Sequence, residues 1–399
     1  MKDAVLEKRL GDVVDVQSGF AFKSSEYSDS GHFLIRIANV QDGYLSLEKP
    51  KYVALNAKTK RFELRAGDIL TSLTGNVGRV AKVEPEHLPA ALNQRVARLV
   101  PKPDAGIDAQ YLLRFLHSSA FSGFLEERAH GAAQANVSPS VIGEIPIPLP
   151  PLEEQQRIVA VLDEAFEGLA RARVHAEANL QNARALIEAG LGTAFNPVTA
   201  KLNGWDLSDL SSMAKLSYGY TTKANSEPNG PKFLRITDIQ DGTVDWDNVP
   251  FCSTPPDDYE RYRVKSGDIL FARTGATTGK SYLMTDEIEA VAASYLIRLR
   301  LASMALKPEY LALFFQSDVY WETIRAGISG STQGGFNASK LGELVVPVPP
   351  LAIQDVVISR LEEIQDQAAR LTSTYFVKLQ DLDDLRQSLL QKAFAGELT

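Results

Sequence analysis

Two stretches of this chain read as long helices, and each begins directly behind a cluster of prolines. In the first, Pro148, Pro150 and Pro151 forbid helix upstream. The last of them tolerates a helix start, because the first helical amides need no partner. Glu153 and Glu154 fall in the first turn, where carboxylates favour the positive end of the helix dipole. Beyond them Ile158, Leu162, Ala165, Leu169, Ala172, Ala176, Asn179, Ala183 and Leu186 recur at alternating spacings of four and three. This is a heptad seam, apolar except at Asn179. About 199 residues later the pattern returns. Pro347, Pro349 and Pro350 precede Val357, Leu361, Ile364, Ala368, Leu371, Tyr375, Lys378, Leu382, Leu385 and Leu389. Asn179 and Lys378 are the polar members at the same step, and such residues can fix the register of paired helices at a cost in stability.

At 399 residues and 44% hydrophobic content the chain has room for two or three domains with real cores. A single cysteine, Cys252, rules out a disulfide framework and fits a reducing, cytoplasmic setting. The opening MKDAVLEKRLGDVVDV shows no apolar core followed by a cleavage site, so no signal peptide is expected. No run of about 18 apolar residues occurs, and no membrane span is expected. The net charge of −8 argues against a generally adhesive nucleic-acid binder. Residues 151–199 hold four basic and seven acidic side chains, and residues 350–399 five and eight. Any polyanion site must therefore be a local patch on the globular segments.

Residues 1–150 read as a mixed α/β domain. VVDVQSGFAF (13–22) and FLIRIANVQDGYLSL (33–47) read as strands, with Asp42-Gly43 as a tight turn. GDILTSLTGNVGRVAKV (67–83) reads as strand, glycine-punctuated loop and strand, and ALNQRVARLVP (91–101) as another strand. DAQYLLRFLHSSAFSGFLEERA (108–129) has helical spacing, and the polar HGAAQANVSPS (130–140) leads to the prolines. Residues 199–350 repeat this order: KFLRITDIQDGTVDW (232–246), GDILFARTGATTGKSYLM (267–284), PEYLALFFQSDVYWETI (308–324) and STQGGFNASKLGE (331–343). The offset stays at 199 to 201 over most of the chain. A period of that length means tandem duplication rather than a short-repeat solenoid. The expected boundaries are 1–150, 151–198, 199–350 and 351–399.

The proline clusters with a following glutamine, the paired GDIL segments with their glycine-rich loops, and the closing LRQSLLQKAFAGEL carry a resemblance. Over essentially its whole length the chain resembles the specificity (S) subunit of type I restriction–modification systems. The resemblance implies two similar α/β (α+β) target recognition domains separated by two long helices. These would pack as an antiparallel coiled coil in a pseudo-two-fold internal repeat. Each recognition domain would read one half of a split double-stranded DNA target. The helices would set the spacing and dock two methyltransferase (M) subunits. It also implies that S-adenosylmethionine belongs to the M subunits, and ATP and Mg to restriction (R) subunits, leaving this chain non-catalytic and without a cofactor. Two departures stand out. The second gate continues Ala352-Ile353-Gln354 where the first has Glu153-Glu154-Gln155, and the first helix ends in the glycine-rich LIEAGLGTAF.

Candidate DNA contacts concentrate in the loops. After each GDIL, TSLTGNVGR (71–79) and FARTGATTGK (271–280) combine glycines, hydroxyls and cations. Backbone amides can approach phosphate there while side chains reach base edges. An ordinary bulged hairpin would need the same glycines. Arg79, Arg273 and Lys280 are candidates for phosphate or guanine, and Thr74, Asn76, Thr274, Thr277 and Thr278 for the groove. Lys23 and Lys223, four residues beyond Gly19 and Gly219, are candidate phosphate contacts or plain solvated lysines. Asn93, Gln94 and Arg95 match Ser294 and Tyr295 in place but not in chemistry, a difference that two unlike half-sites would require. Gln134, Asn136, Gln333 and Asn337 lie in the polar loops before the prolines. Arg36 and Arg235, flanked by strand residues, read as structural pairs rather than DNA contacts.

Enzyme signatures fail. Gly275 to Ser281 is one residue short of a phosphate-binding GxxxxGK[ST] loop, and its twin at Gly75 lacks the Gly-Lys pair. Thr254-Pro255-Pro256-Asp257 lacks the amide or carboxylate an amino-methyltransferase would need to hold its target amine. The five histidines have no metal-ligand spacing. The residues alone also allow a coiled-coil assembly protein with protein- or glycan-binding heads. Steep salt dependence of binding separates that reading from a DNA reader.

Overall fold

In a computed structural model describing residues 7–129, 136–240, 242–329 and 336–398, the chain divides into two units. One is Met1–Glu177 with Val377–Thr399, the other Ala178–Phe376. Each holds one globular head, the start of one long helix and the end of the other.

The core of the first head is a four-stranded antiparallel sheet in the order Val14–Ser18, Val96–Pro101, Ile69–Ser72, Val80–Lys82. The strand that begins at the end of GDIL is buried at every position, including the polar Thr71 and Ser72, so it shows no alternation. A second sheet orders Tyr52–Val53, His32–Ile35, Ala90–Leu92 and Glu63–Leu64, with the middle pair parallel. The strand expected from Phe33 ends at Ile35; the turn expected at Asp42-Gly43 is present, with Gly43 at φ +87°, but it is flanked only by a bridge from Val40 to Leu45. The second head repeats the core sheet as Ala214–Tyr218, Leu296–Leu301, Ile269–Ala272 and Ser281–Leu283.

The single helix expected over 108–129 is two: Ala109–Leu116, capped by Asp108, and Ser119–Ala129. Buried Ser118 breaks it by donating its hydroxyl to the Phe115 carbonyl at 2.6 Å. Ser317 does the same to Phe314 at 2.7 Å, between Pro308–Phe314 and Asp318–Ser329. A side chain that satisfies a backbone carbonyl in this way competes with helix continuation.

Each long helix is fastened to its head by the glutamine behind the prolines. Gln155 and Gln354 are fully buried. The Gln155 amide donates to the carbonyls of Gly106 and Pro150, both at 2.8 Å, and accepts from the Asp108 amide at 2.8 Å. Gln354 donates to Ala305 and Pro349 at 2.7 and 2.8 Å and accepts from Lys307 at 2.8 Å. A carboxylate could accept but not donate, so glutamine is required.

The long helices run Leu152–Ala194 and Leu351–Phe394, and within each unit they pack antiparallel. In the first, Ile158 and Leu162 share a core with Leu390 and Ala393; in the second, Leu191 and Phe195 share one with Ile358 and Leu361. The helix ends insert aromatic rings into the heads. Phe394 lies 5.2 and 5.3 Å from Tyr111 and Phe115, and Phe195 5.1 and 5.4 Å from Tyr310 and Phe314. The glycine-rich end of the first helix also has a steric reason. A Cβ at Gly190 would meet Ile364 and Leu361 side chains at 3.1 and 3.2 Å.

The seam differs in phase from the expected one. Ile158, Leu162, Ala176, Ala183, Leu361 and Ala368 are buried as expected, and Leu169, Asn179, Ile364, Tyr375 and Leu382 are half-buried. Leu186, Leu371, Lys378 and Leu385 instead face outward, and Ile187, Thr372, Leu379 and Arg386 take their places. Lys378 is therefore not a polar member of the seam. Its neighbour Arg386 shows why counting leucines misleads: its guanidinium covers the Phe166 ring at 5.2 Å, a long polar side chain occupying an inward position. The Arg114 guanidinium also lies over that ring, at 5.1 Å, while its Nε and Nη2 donate to Asp163 at 3.0 and 2.6 Å.

Candidate nucleic-acid interface

The GDIL aspartates shape both heads from inside. Asp68 accepts from the Arg65 amide at 2.9 Å and from Arg98 at 3.0 Å, tying the turn to the neighbouring strand. Asp268 accepts from the Lys265 amide at 2.8 Å and holds Arg300 through two bonds of 2.6 Å. With strand and turn tied together, the loop that follows projects from a rigid base.

In the first head that loop meets two others. The Leu73 amide donates to the Arg95 carbonyl at 2.9 Å, and the Val137 amide donates to the Leu73 carbonyl at 2.8 Å. Thr74 donates its hydroxyl to the Asn136 side-chain oxygen at 2.9 Å. The result is a cleft of about 600 Å³ lined by Ser18, Thr74, Gln94, Arg95, Asn136 and Ser138. Gln94, Arg95 and Asn136 are exposed at its rim. Thr74 and Asn93, expected as contacts, are only 8% and 7% exposed. Thr74 orients Asn136, and the Asn93 oxygen accepts from the Arg95 amide at 3.4 Å. Their polar atoms build the cleft rather than offer free contacts. Arg79 points elsewhere, donating to Gln41 at 2.8 Å. With its amide oxygen turned toward that guanidinium, Asn76 accepts from it at 3.2 and 2.6 Å.

The second head brings the matching loops together with other side chains. The Arg273 amide donates to the Tyr295 carbonyl at 3.2 Å, and the Phe336 amide to the Arg273 carbonyl at 2.9 Å. The Arg273 guanidinium sits 4.8 Å from the centre of the Tyr218 ring, and the Tyr218 hydroxyl accepts from the Ala338 amide at 3.1 Å. Tyr295 is 60% exposed, and Ser294, Thr274 and Thr277 are half-buried. Thr278 is buried with its hydroxyl on the Gly275 carbonyl at 2.8 Å, so it is a turn residue and not a groove contact. Asn337 is exposed but caps the helix Ala338–Gly342, accepting from the Lys340 amide at 2.9 Å. Lys280 does not join Arg273; it lines a separate cleft of about 840 Å³ with Tyr282, Glu309, Gln316, Trp321 and Glu362. Lys23 and Lys223 are exposed on their loops, and Gln134 and Gln333 lie outside the described residues.

The loop glycines divide by role. A Cβ at Gly279 would fall 2.7 Å from the Trp321 ring, and one at Gly78 would fall 3.1 Å from Leu125. These second glycines exist for close packing on a helix. Gly75 and Gly275, at φ +75° and +76°, have room for a Cβ, which would meet the Ile37 side chain at 4.0 Å in the first and nothing within 4 Å in the second, so the turn itself requires them. Sequence reasoning passed over Ser18, Tyr218 and Ser138. Ser18 and Tyr218 were findable, since they stand at one register position of a duplicated strand and differ in size and chemistry.

Two titratable groups away from these loops, Cys252 and His117, are governed by burial. Burial pushes the Cys252 thiol up to about 11, leaving it unreactive at neutral pH. Burial also lowers the pKa of His117, whose Nδ1 lies 2.8 Å from the Leu113 carbonyl. Among the described residues no group of three or more His, Cys, Asp or Glu could hold a metal ion, and no helix is long and apolar enough to cross a membrane.

The type I restriction modification DNA specificity domain matches the chain twice, at residues 2–174 and 203–375. The EcoKI specificity subunit of Escherichia coli K12 is 27% identical over 382 residues, covering 92% of this chain and 82% of that protein. The EcoBI specificity subunit of Escherichia coli is 25% identical over 426 aligned positions, covering 100% and 87%. A chain from a solved structure concerning complex assembly and conformational transition of the type I R-M system has the same fold, with a TM-score of 0.77 over 98% of both chains at 22% identity. With one match on each head and its adjoining helix, the chain belongs to the type I restriction modification DNA specificity family.

Proposed function

We propose that this chain is the sequence-reading, non-catalytic subunit of a type I restriction–modification complex, each head reading one half of a bipartite double-stranded DNA target. One observation carries the reading. The two heads share a backbone frame yet present Gln94 and Arg95 in one and Ser294 and Tyr295 in the other at matching positions, all exposed but the half-buried Ser294. Arginine pairs bidentately with guanine and glutamine with adenine, whereas tyrosine offers a ring and one hydroxyl. Equal frames with unequal rims are what two unlike half-sites demand. Arg273 and Thr274 join Ser294 and Tyr295 in the second head; Asn136 joins Gln94 and Arg95 in the first.

The long helices, 43 and 44 residues, serve as the spacer. Their outward residues Leu186, Leu371, Leu385, Val356 and Phe376 suit the docking of methyltransferase subunits, which would carry S-adenosylmethionine. Restriction subunits with ATP and Mg would complete a cytoplasmic assembly. Methylation mapping of the host genome with and without this gene tests the reading. The expected result is a gene-dependent motif of two unlike halves separated by a constant gap. A contiguous motif, or no gene-dependent methylation, contradicts it.

A further inference from the structure

Arg36 and Arg235 occupy the same position after the same strand, and their surroundings differ by one unit of charge. Arg235 is neutralised by Asp238, its Nε and Nη2 donating to the two carboxylate oxygens at 3.0 and 2.6 Å. At the matching position the first head has Asn39. Asn39 keeps the backbone role, accepting from the Arg36 amide at 3.1 Å as Asp238 accepts from Arg235 at 2.9 Å. It offers no charge. Arg36 has one bond, from Nη2 to the Lys49 carbonyl at 3.0 Å, and its Nε is buried with no partner.

The surrounding surface moves in the same direction. Arg36 lines a cleft of about 630 Å³ with Gln41, Tyr44, Glu48, Lys49 and Lys51. Lys49, Lys51 and the 60%-exposed Tyr44 stand at its edge, and Glu48 is the single carboxylate in its lining. Among the described residues no ion pair engages Arg36, Lys49 or Lys51. The second head places Asn248 and Pro250 where Lys49 and Lys51 stand; Leu34 and Phe233 mark the register by donating their amides to Lys51 and Pro250, each at 2.7 Å. Gln41 joins the cleft to the glycine-rich loop through its bond to Arg79.

We infer that this cleft is a phosphate-backbone anchor present in the first head alone, gripping a DNA phosphate through Arg36, Lys49 and Lys51 without reading bases. The inference rests on the DNA reading above. A phosphate oxygen would give Arg36 the anionic partner that Asp238 gives Arg235, and the flanking ammonium groups act as point charges. Tyr44 can donate to the same phosphate.

The test uses the chain assembled with its methyltransferase subunits. The variant is Lys49→Asn with Lys51→Gln, both at exposed sites; asparagine tolerates the φ of +49° at position 49. Binding to target and non-target duplexes is measured from low to high salt. Because both lysines grip the same phosphate, losing them should shallow the slope of log K against log salt by up to about 0.9, weakening binding by up to about fivefold at about 0.15 M salt. Target and non-target binding should weaken alike. An unchanged slope, or a loss of discrimination at one base pair, overturns the anchor. Lys-dependent stabilisation by inorganic phosphate, with the DNA slope unchanged, would reassign the cleft to free phosphate and also overturn it. Wild-type complex whose binding shows no salt dependence would refute the DNA reading itself, a result distinct from the others.

Discussion

The two heads are the same construction with different rims. The inner devices are duplicated: the buried glutamine behind the prolines, the phenylalanine at the helix end, and the GDIL aspartate on a strand arginine, which is Arg98 in the first head and, two residues beyond the match of Arg98, Arg300 in the second. The outer positions diverge: Ser18 against Tyr218, Gln94 against Ser294, Arg95 against Tyr295, Lys49 against Asn248. A frame stabilised from inside leaves its rim free to vary, because exposed substitutions away from caps and ion pairs change stability little. The comparison also exposes unequal strength in shared devices, and that inequality can be measured.

The largest expected effect is at the helix ends. Phe195 is fully buried and Phe394 only partly. Phe195→Ala should destabilise the second unit by about 3–5 kcal/mol, and Phe394→Ala should cost the first roughly half as much. Calorimetry of each variant, with unfolding assigned to each unit by local probes, checks this; equal losses would break the comparison. Next come the aspartates. Asp268 has 1% side-chain exposure and two bonds to Arg300, whereas Asp68 has 17% and one bond to Arg98. Asn at either site can still accept from the turn amide, so the substitution isolates the charge. Asp268→Asn should cost about 3 kcal/mol and Asp68→Asn about 1–2 kcal/mol in denaturant unfolding.

The smallest effect is acid sensitivity. His117 in the first head stands where the second has Gln316. Burial holds its folded pKa below the ordinary value near 6.5, with Arg386 and Arg114 adding to the shift and Asp42 and the Leu113 carbonyl opposing it. Below that value the unfolded chain takes up a proton that the folded one resists. The contribution is therefore present above about pH 6.5 and lost as pH falls. His117→Gln should flatten the acid side of the first unit's stability curve and leave the second unit's unchanged.

Much of this was legible in the sequence. The duplication and the proline-gated helices follow from spacing alone, and the antiparallel pairing from the resemblance those features carry. Gln94, Arg95 and Asn136 were flagged singly on their chemistry; that they line one cleft is seen only in the structure. Three things were hidden for physical reasons. The seam's phase turned on Arg386 and Thr372 facing inward, which no rule that ranks residues by hydrophobicity would choose. Thr74, Asn93 and Thr278 look like free polar contacts in sequence but are consumed by loop geometry. Arg36 and Arg235 look equivalent until Asn39 and Asp238 are seen beside them, and only Arg235 then proves to be the structural pair expected of both.

The central claim is that matching rim positions read different halves of one target. Methylation maps from cells carrying Arg95→Ala or Tyr295→Ala, beside the wild-type chain, test it most directly. A hydrogen-bonded side chain on a base edge is worth about 1–3 kcal/mol of discrimination at its position. Each substitution should therefore relax the base preference in one half of the motif, a different half for each, with the gap between halves unchanged. Relaxation of the same half by both, or of both halves by either, would contradict the account.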